Sequence, residues 1–425
     1  MSQKAAAITL LSRLAQRRPA AEEWLRAAFP GRLDLLAESA LEVAIETGGP
    51  IGTVLAREIW QSGSQDIAWR VMERCNQARY RFSLHLREAA FAATERSLKL
   101  FIASHSEGSG EIERARLLHN LGSRLNDLGR REEALRATRA AVGLRRQLAS
   151  RDPDRFLPDL ATSLNNLGIH LTELGLREEA LLASREAVEL RRKLLAHHPG
   201  EILPTLAMSL NNLSVRLKDL GRFAEAREIS QEAIDLQRHL ARQQPAHYLA
   251  DLAMSLNNMG NQLAALGLHE EALQATREAL ELRRELAADR PDAFLPVLAS
   301  SLTNLGNRLS ELGRREEALE AAQEAVDLRR HLAGRNPDAF LPALATSLNN
   351  LGNRFADLDR RREALQAAEE AVRILSPFFL KYPRAFRSWM EICLRKYRQH
   401  AGIAGEEPDE ELLRLIDVSL QGAET

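Results

Sequence analysis

A 46-residue period constrains this chain more than any other feature. SLNNLG stands at Ser163–Gly168 and again at Ser347–Gly352, and near copies fill the interval: LLHNLG at 117–122, SLNNLS at 209–214, SLNNMG at 255–260 and SLTNLG at 301–306. The second Asn never changes, giving Asn120, Asn166, Asn212, Asn258, Asn304 and Asn350. Self-similarity at such a period marks a supersecondary unit that cannot bury its apolar face alone and must stack on its neighbours. The repeat therefore overrides the two or three separate globular domains that 425 residues would otherwise suggest.

Within one unit, Leu164, Leu167, Gly168 and Leu171 follow the i, i+3, i+4, i+7 spacing of a single helix face, which defines a helix A. Gly175 interrupts it. A second periodic segment, helix B, runs from about Glu178 to Ala196 and is expected to stop at Pro199. The next helix A is expected to open at Pro204, because the first helical turn tolerates the missing N–H. This predicts a helix A of about 17 residues, a Gly turn, a helix B of about 20 residues and a Pro-bracketed loop. The apolar residues before the opening Pro (Phe156, Ile202, Tyr248, Phe294, Phe340) are expected to staple the entry to helix A. Two columns on helix B are invariant: Ala134, Ala180, Ala226, Ala272, Ala318 and Ala364, and Ala141, Ala187, Ala233, Ala279, Ala325 and Ala371. Small residues at fixed positions let two helices approach closely, and a larger side chain there would overpack. Gly122, Gly168, Gly260, Gly306 and Gly352 do the same on helix A, with Ser214 the exception.

Composition agrees with an all-helical reading: 45% apolar, 5% aromatic, 28% charged, rich in Ala, Leu, Arg and Glu. A net charge of −1 gives no global electrostatic case for nucleic acid or anionic lipid. The arginines mostly sit beside Glu or Asp and read as a solvated, mixed surface. Cys75 and Cys393 stand far apart without a partner motif, which fits a reducing compartment. The N-terminal apolar run is too short for a signal peptide and no stretch reaches the length of a membrane span, so a cytoplasmic location is expected.

The pattern Leu164-x2-Leu167-Gly168-x2-Leu171, followed by Gly175, Ala180 and Ala187, resembles the tetratricopeptide repeat (TPR). Leu replaces both family aromatics, and the longer period brings the units closer to the long repeats of kinesin light chain. HEAT and armadillo repeats share the length but not this register. The resemblance implies an all-α, right-handed superhelical solenoid of antiparallel helix pairs with helical caps. The expected organisation is an N-terminal helical cap or docking domain over 1–65, a degenerate repeat and linker (SHSEGSG) over 66–110, six repeats over 111–383, and capping helices over 384–425. GGPIG at 48–52 reads as a turn, and the segment from 385 to 400 aligns with a helix A that puts Trp389 and Met390 inside.

Advancing 100° per residue, Asn166 and Asn165 point away from the apolar stripe of helix A. In the family the resemblance names, that face lines the concave groove, where extended peptides or partner helices bind. The candidate groove residues are Asn120, Asn165, Asn166, Asn211, Asn212, Asn257, Asn258, Asn304, Asn349 and Asn350, with the apolar spots Met208, Val215 and Met254. Two roles stand open. A primary amide can pair with any peptide backbone, or it can bond the neighbouring helix A and fix the repeat spacing. The basic column Arg124, His170, Arg216, Arg308 and Arg354 is followed three residues later by Asp127, Glu173, Asp219, Glu311 and Asp357; where the base becomes Gln262, the acid becomes Ala265. That covariation predicts i, i+3 pairs rather than a site for acidic ligands.

No phosphate-binding loop, dinucleotide fingerprint, HExxH or nucleophile motif occurs, and the repeated Glu178-Glu179 pairs read as solvated helix-start charges. The expectation is a non-enzymatic protein- or peptide-binding scaffold with no cofactor or metal, no nucleic-acid partner and no membrane partner. The alternative is a sensor or regulatory subunit of a bacterial signalling or defence system whose effector is a separate chain.

Overall fold

The computed structural model describes residues 3–17, 21–29, 32–47, 50–62, 64–77, 86–105 and 110–422. Among these residues there are helices and short connections but no strand, and the chain divides into two units, Met1–Leu220 and Gly221–Thr425. Residues 106–109 of the linker SHSEGSG and the two glycines at 48–49 that open GGPIG fall outside the described residues.

The first unit begins with α1 (Gln3–Arg17), α2 (Ala21–Ala27), α3 (Leu33–Thr47) and α4 (Ile51–Gln61). α5 (Gln65–Asn76) and α6 (Arg87–Ser104) follow and pack on each other, and α6 packs on α7 (Glu111–Asp127), the first helix A. Leu25, Phe29, Ile51, Leu55 and Met72 share one core with Leu117 and Leu121, so the leading helices cover the apolar face of the first repeat. α8 (Arg131–Arg151), α9 (Pro153–Glu173), α10 (Arg177–Leu195) and α11 (Pro199–Asp219) then stack in order, each against the one before.

The second unit opens with α12 (Phe223–Gln243) and alternates A and B helices: α13 (Pro245–Ala265), α14 (His269–Asp289), α15 (Pro291–Glu311), α16 (Arg315–Arg335), α17 (Pro337–Asp357) and α18 (Arg361–Lys381). α19 (Pro383–Ala404) and α20 (Glu410–Gly422) close it, with Ile416 buried against the last core. In α19 the buried stripe is Met390, Cys393, Leu394, Tyr397 and Ala401. Trp389 does not point inward as expected: it is 47% exposed, because it stands one residue off that stripe.

The helix boundaries correct the sequence reading. Helix A starts at Pro153, Pro199, Pro245, Pro291 and Pro337, five or more residues earlier than expected, and Pro158, Pro204, Pro296 and Pro342 lie inside it. Most A and B helices are therefore 21 residues long. The expected loop shrinks to one residue at Asp152, Gln244, Arg290 and Asn336, held near φ −144 to −133° and ψ 74 to 86°. Proline disfavours the α region for the residue before it, so one pre-proline residue suffices to break the helix. Asp152 and Asn336 also cap the new helix, accepting from the N–H of Arg155 and Ala339. Phe156 and Ile202 are accordingly not staples outside the helix but buried residues of its first turns.

The A-to-B turn is the glycine turn that the sequence implies. Gly129 has φ 73°, its N–H donates to Asn126 O at 2.9 Å, and Arg130 N–H donates to Leu125 O at 2.9 Å. This pairing satisfies the last carbonyls of helix A and needs a left-handed residue. The sixth turn places Asp359 there, at φ 58°.

Both Ala columns are at most 1% exposed. A Cβ added at Gly168 or Gly306 would lie 3.3 or 3.2 Å from the carbonyl oxygen of Ala180 or Ala318, the first Ala of the paired helix B. Helices A and B thus meet backbone to backbone at the Gly–Ala contact.

Candidate functional site

The asparagines lie on the A helices, and the structure separates them into two groups. Asn165, Asn211 and Asn349 are buried. Asn165 Nδ2 donates to Ser209 Oγ of the following helix A at 2.8 Å, and Asn349 Nδ2 lies 2.8 Å from Cys393 Sγ. In repeat four Asn257 is half-buried and accepts from Asn304 Nδ2 at 2.8 Å, again joining successive A helices. In these positions the amide holds one repeat to the next.

The invariant column is half-buried throughout: Asn120, Asn166, Asn212, Asn258, Asn304 and Asn350. Asn166 reaches back to Ser123 Oγ at 3.2 Å and to His119 Nε2 at 3.4 Å. By contrast, the side chains of Asn120, Asn212 and Asn350 make no hydrogen bond among the described residues. Asn120 lines a polar cavity of about 380 Å³ together with Glu73, Asn76, Arg116, Ser123 and Asp127. Arg116 is neutralised there by Glu73 at 2.6 Å and Glu113 at 2.8 Å.

Met208 and Met254 are 50% and 41% exposed. Each stands one helical turn before an invariant Asn, at i, i+4 to Asn212 and Asn258, so thioether and amide share a face. Val215 is half-buried. The other repeats carry Arg116, half-buried, and Thr162, Ser300 and Thr346, all exposed, at the methionine position.

The four arginines of the basic column pair as the covariation predicts, and His170 does not. Arg124, Arg216, Arg308 and Arg354 pair with Asp127, Asp219, Glu311 and Asp357 at 3.6, 3.7, 3.3 and 3.5 Å. His170, 3% exposed, meets Thr138 Oγ1 at 3.0 Å, and burial lowers its pKa from the ordinary value. In repeat four the same place is taken by Gln262, whose Oε1 accepts from Ser230 Oγ at 2.9 Å.

A second basic column escaped the sequence reading. Arg145, Arg191, Arg283 and Arg329, on helix B, are not part of a solvated surface but at most 9% exposed. Arg145 donates to Asp159 O at 2.8 Å and to Ser163; Arg283 donates to Ser301; Arg329 donates to Ala343 O at 3.0 Å and to Ser347. Each thus reaches the helix A of the following repeat. Arg191 reaches Thr162 Oγ1 at 3.3 Å instead. Burial lowers all four pKa values, that of Arg191 to about 10, which leaves the guanidinium charged at neutral pH. The sequence shows the paired arginines at 145–146, 191–192, 283–284 and 329–330 in step with Ser163, Ser209, Ser301 and Ser347, but both members of each pair keep that step, so it does not show which one turns inward.

Both thiols are buried, which raises the pKa of Cys75 to about 12 and of Cys393 to about 11, so neither is a thiolate at neutral pH. Among the described residues no group of three or more His, Cys, Asp or Glu could hold a metal ion, and no helix is long and apolar enough to cross a membrane.

A model of the tetratricopeptide repeat matches residues 114–154, 160–200, 206–245, 246–292, 298–338 and 344–375. No curated protein matches the chain significantly. Similar solved structures include BtubC (BKLC) from P. vanneervenii, 21% identical over 58% of this chain and 92% of that one, with a TM-score of 0.48. A putative kinesin light chain with nearly identical TPR-like repeats from Podosopora anserina is 17% identical over 56% of this chain and 98% of that one, TM-score 0.40. YrrB, described as a TPR protein with an unusual peptide-binding site, is 19% identical over 55% and 92%, TM-score 0.33. The repeat match alone decides the family: with six successive repeats matched over more than half its length, the chain belongs to the tetratricopeptide repeat family.

Proposed function

We propose that the protein is a non-enzymatic scaffold that binds an extended peptide segment of a partner protein along the exposed face of its A helices. The observation that carries this reading is the pairing of an exposed methionine with a half-buried, uncommitted amide one turn away, Met208 with Asn212; Met254 is exposed at the same repeat position in the second unit. An amide can bond a peptide backbone whatever its side chains, and methionine adapts to varied apolar partners. Within the first unit Asn120 and Asn212 supply the backbone contacts, since their amides are uncommitted, as is that of Asn350 in the second unit, while Asn165, Asn166, Asn211, Asn257, Asn258, Asn304 and Asn349 have partners in the protein and chiefly fix the spacing of the A helices. Val215 adds apolar surface beside Met208.

Photo-crosslinking from within the source cell tests this. Benzoylphenylalanine placed at Met208 is expected to capture a partner segment, and the same group at exposed Glu189 on helix B of the same unit is not. Equal yields of the same adduct from Glu189, or none from Met208, would overturn the assignment.

A further inference from the structure

On the helix-B side, successive repeats are strapped together by ion pairs. Arg139 and Arg146 of the first repeat bridge Glu179 and Glu186 of the second at 2.7 and 2.6 Å. Arg277 and Arg284 of the fourth bridge Glu317 and Glu324 of the fifth at 3.3 and 2.7 Å. The junction between the fifth and sixth repeats keeps only the second strap, Arg330 to Glu370 at 2.7 Å. Gln323 stands where Arg277 stands one repeat earlier, and its amide turns back to Asp327 on its own helix at 3.1 Å. The acceptors differ in step: Glu317 holds both Arg314 and Arg277, whereas Glu363 holds Arg360 alone.

A cavity of about 660 Å³ opens at this junction. Leu319, Leu328 and Phe355 form its apolar floor, and Glu320, Glu324 and Asp327 stand around it. Glu324 is already engaged by Arg284, but Glu320 and Asp327 meet no cation among the described residues. Arg360, the one basic group lining the cavity, is held by Glu363 and lies 4.6 Å from the centre of the Phe355 ring. Gln231 marks a similar substitution in the third repeat, yet Arg227 bridges to Glu271 there at 2.9 Å and the cavity is only about 190 Å³. Position 227 corresponds to Leu319; Leu also stands there in the other repeats, at Leu135, Leu181, Leu273 and Leu365, so Arg227 is the exception that makes up for Gln231, and the later junction has a cation at neither place.

We propose that this cavity is a docking site for an arginine-bearing segment of a partner protein, whose guanidinium fills the place that Arg139 and Arg277 fill at the intact junctions. The partner's guanidinium donates to Asp327 and Glu320, and its stem and apolar neighbours cover Leu319, Leu328 and Phe355. Arginine suits the site better than lysine, because its planar fork bonds carboxylates in pairs and stacks on aromatic rings. This surface lies on the B helices and is independent of the A-helix face.

Fluorescence anisotropy with the full chain and a fluorescein-labelled pentapeptide GLRLG is the test. The wild type is expected to bind the peptide saturably. Gln323→Arg restores the missing strap and should weaken binding at least about tenfold, equivalent to about 1.4 kcal/mol. Gln243→Arg, which adds the same charge at an exposed place elsewhere, should leave affinity unchanged. A peptide with citrulline in place of arginine should bind wild type at least about tenfold more weakly. Far-ultraviolet circular dichroism confirms that both variants are folded. Equal affinities for wild type and Gln323→Arg, undiminished binding of the citrulline peptide, or no saturable binding would each overturn the proposal. So would self-association of the wild type that Gln323→Arg abolishes, since the occupant would then be a second copy.

Discussion

His170 and Gln262 occupy the same place in the second and fourth repeats, each meeting a hydroxyl of the preceding helix B. Only the first can titrate. Burial holds the His170 imidazole below its ordinary value of 6.5, so on acidification the native chain takes up protons less readily than the unfolded chain does. The associated stability is present above that value and is lost as pH falls through it. His170→Gln copies the fourth-repeat solution, and its loss of stability between about pH 7.5 and pH 5.5 should be smaller than that of wild type. Urea titrations at the two pH values measure this; identical losses in both proteins would show that His170 is not held neutral by burial. The basic side of the same column was legible in the sequence, because base and acid disappear together at Gln262 and Ala265. Arg145 and its counterparts were not read, since a repeated Arg next to another Arg gives no sign of which one turns inward. The structure distinguishes them: Arg145 bonds Asp159 and Ser163, and Arg146 bonds Glu186.

At the scale of the helix, the Gly–Ala contact sets how closely A and B can approach. Ala180 is fully buried and its carbonyl faces Gly168. Ala180→Leu should cost about 1–3 kcal/mol by overpacking, whereas Glu178→Ala, at an exposed position two residues away, should cost at most about 0.5 kcal/mol. Denaturant midpoints of the two variants check this, and equal losses would contradict a close contact at Ala180. This contact was visible in the invariance of the Ala columns. The start of helix A was misplaced because two prolines stand five residues apart, at Pro153 and Pro158 or Pro199 and Pro204, and both have the φ a helix requires. The fourth repeat held the answer. It has Pro245 but Ala250 at the second position, yet its helix A begins at the same place. The first proline is therefore the opener, and the second is tolerated at the loss of one backbone hydrogen bond.

Across the whole molecule the repeat gives each unit its order: A and B helices alternate, with leading helices covering the first repeat and α19 and α20 closing the second unit. Family, helical class and the apolar stripe were all legible in six registered copies. The division of labour among the asparagines was not, because copies identical in sequence have different neighbours: Asn166 finds Ser123 and His119, whereas Asn212 finds none. The central claim is that uncommitted amides bind the partner while committed ones hold the repeats in place. Its most direct test compares Asn120→Ala/Asn212→Ala with Asn166→Ala, measuring for each the melting temperature and the affinity for a synthetic copy of the segment crosslinked at Met208. The double variant should lose about 1–2 kcal/mol of binding with its melting temperature held, since each net hydrogen bond contributes about 1 kcal/mol and Ala is the better helix former. Asn166→Ala should melt lower and still bind. The reverse pattern, a destabilised double variant with unchanged affinity, would contradict the account.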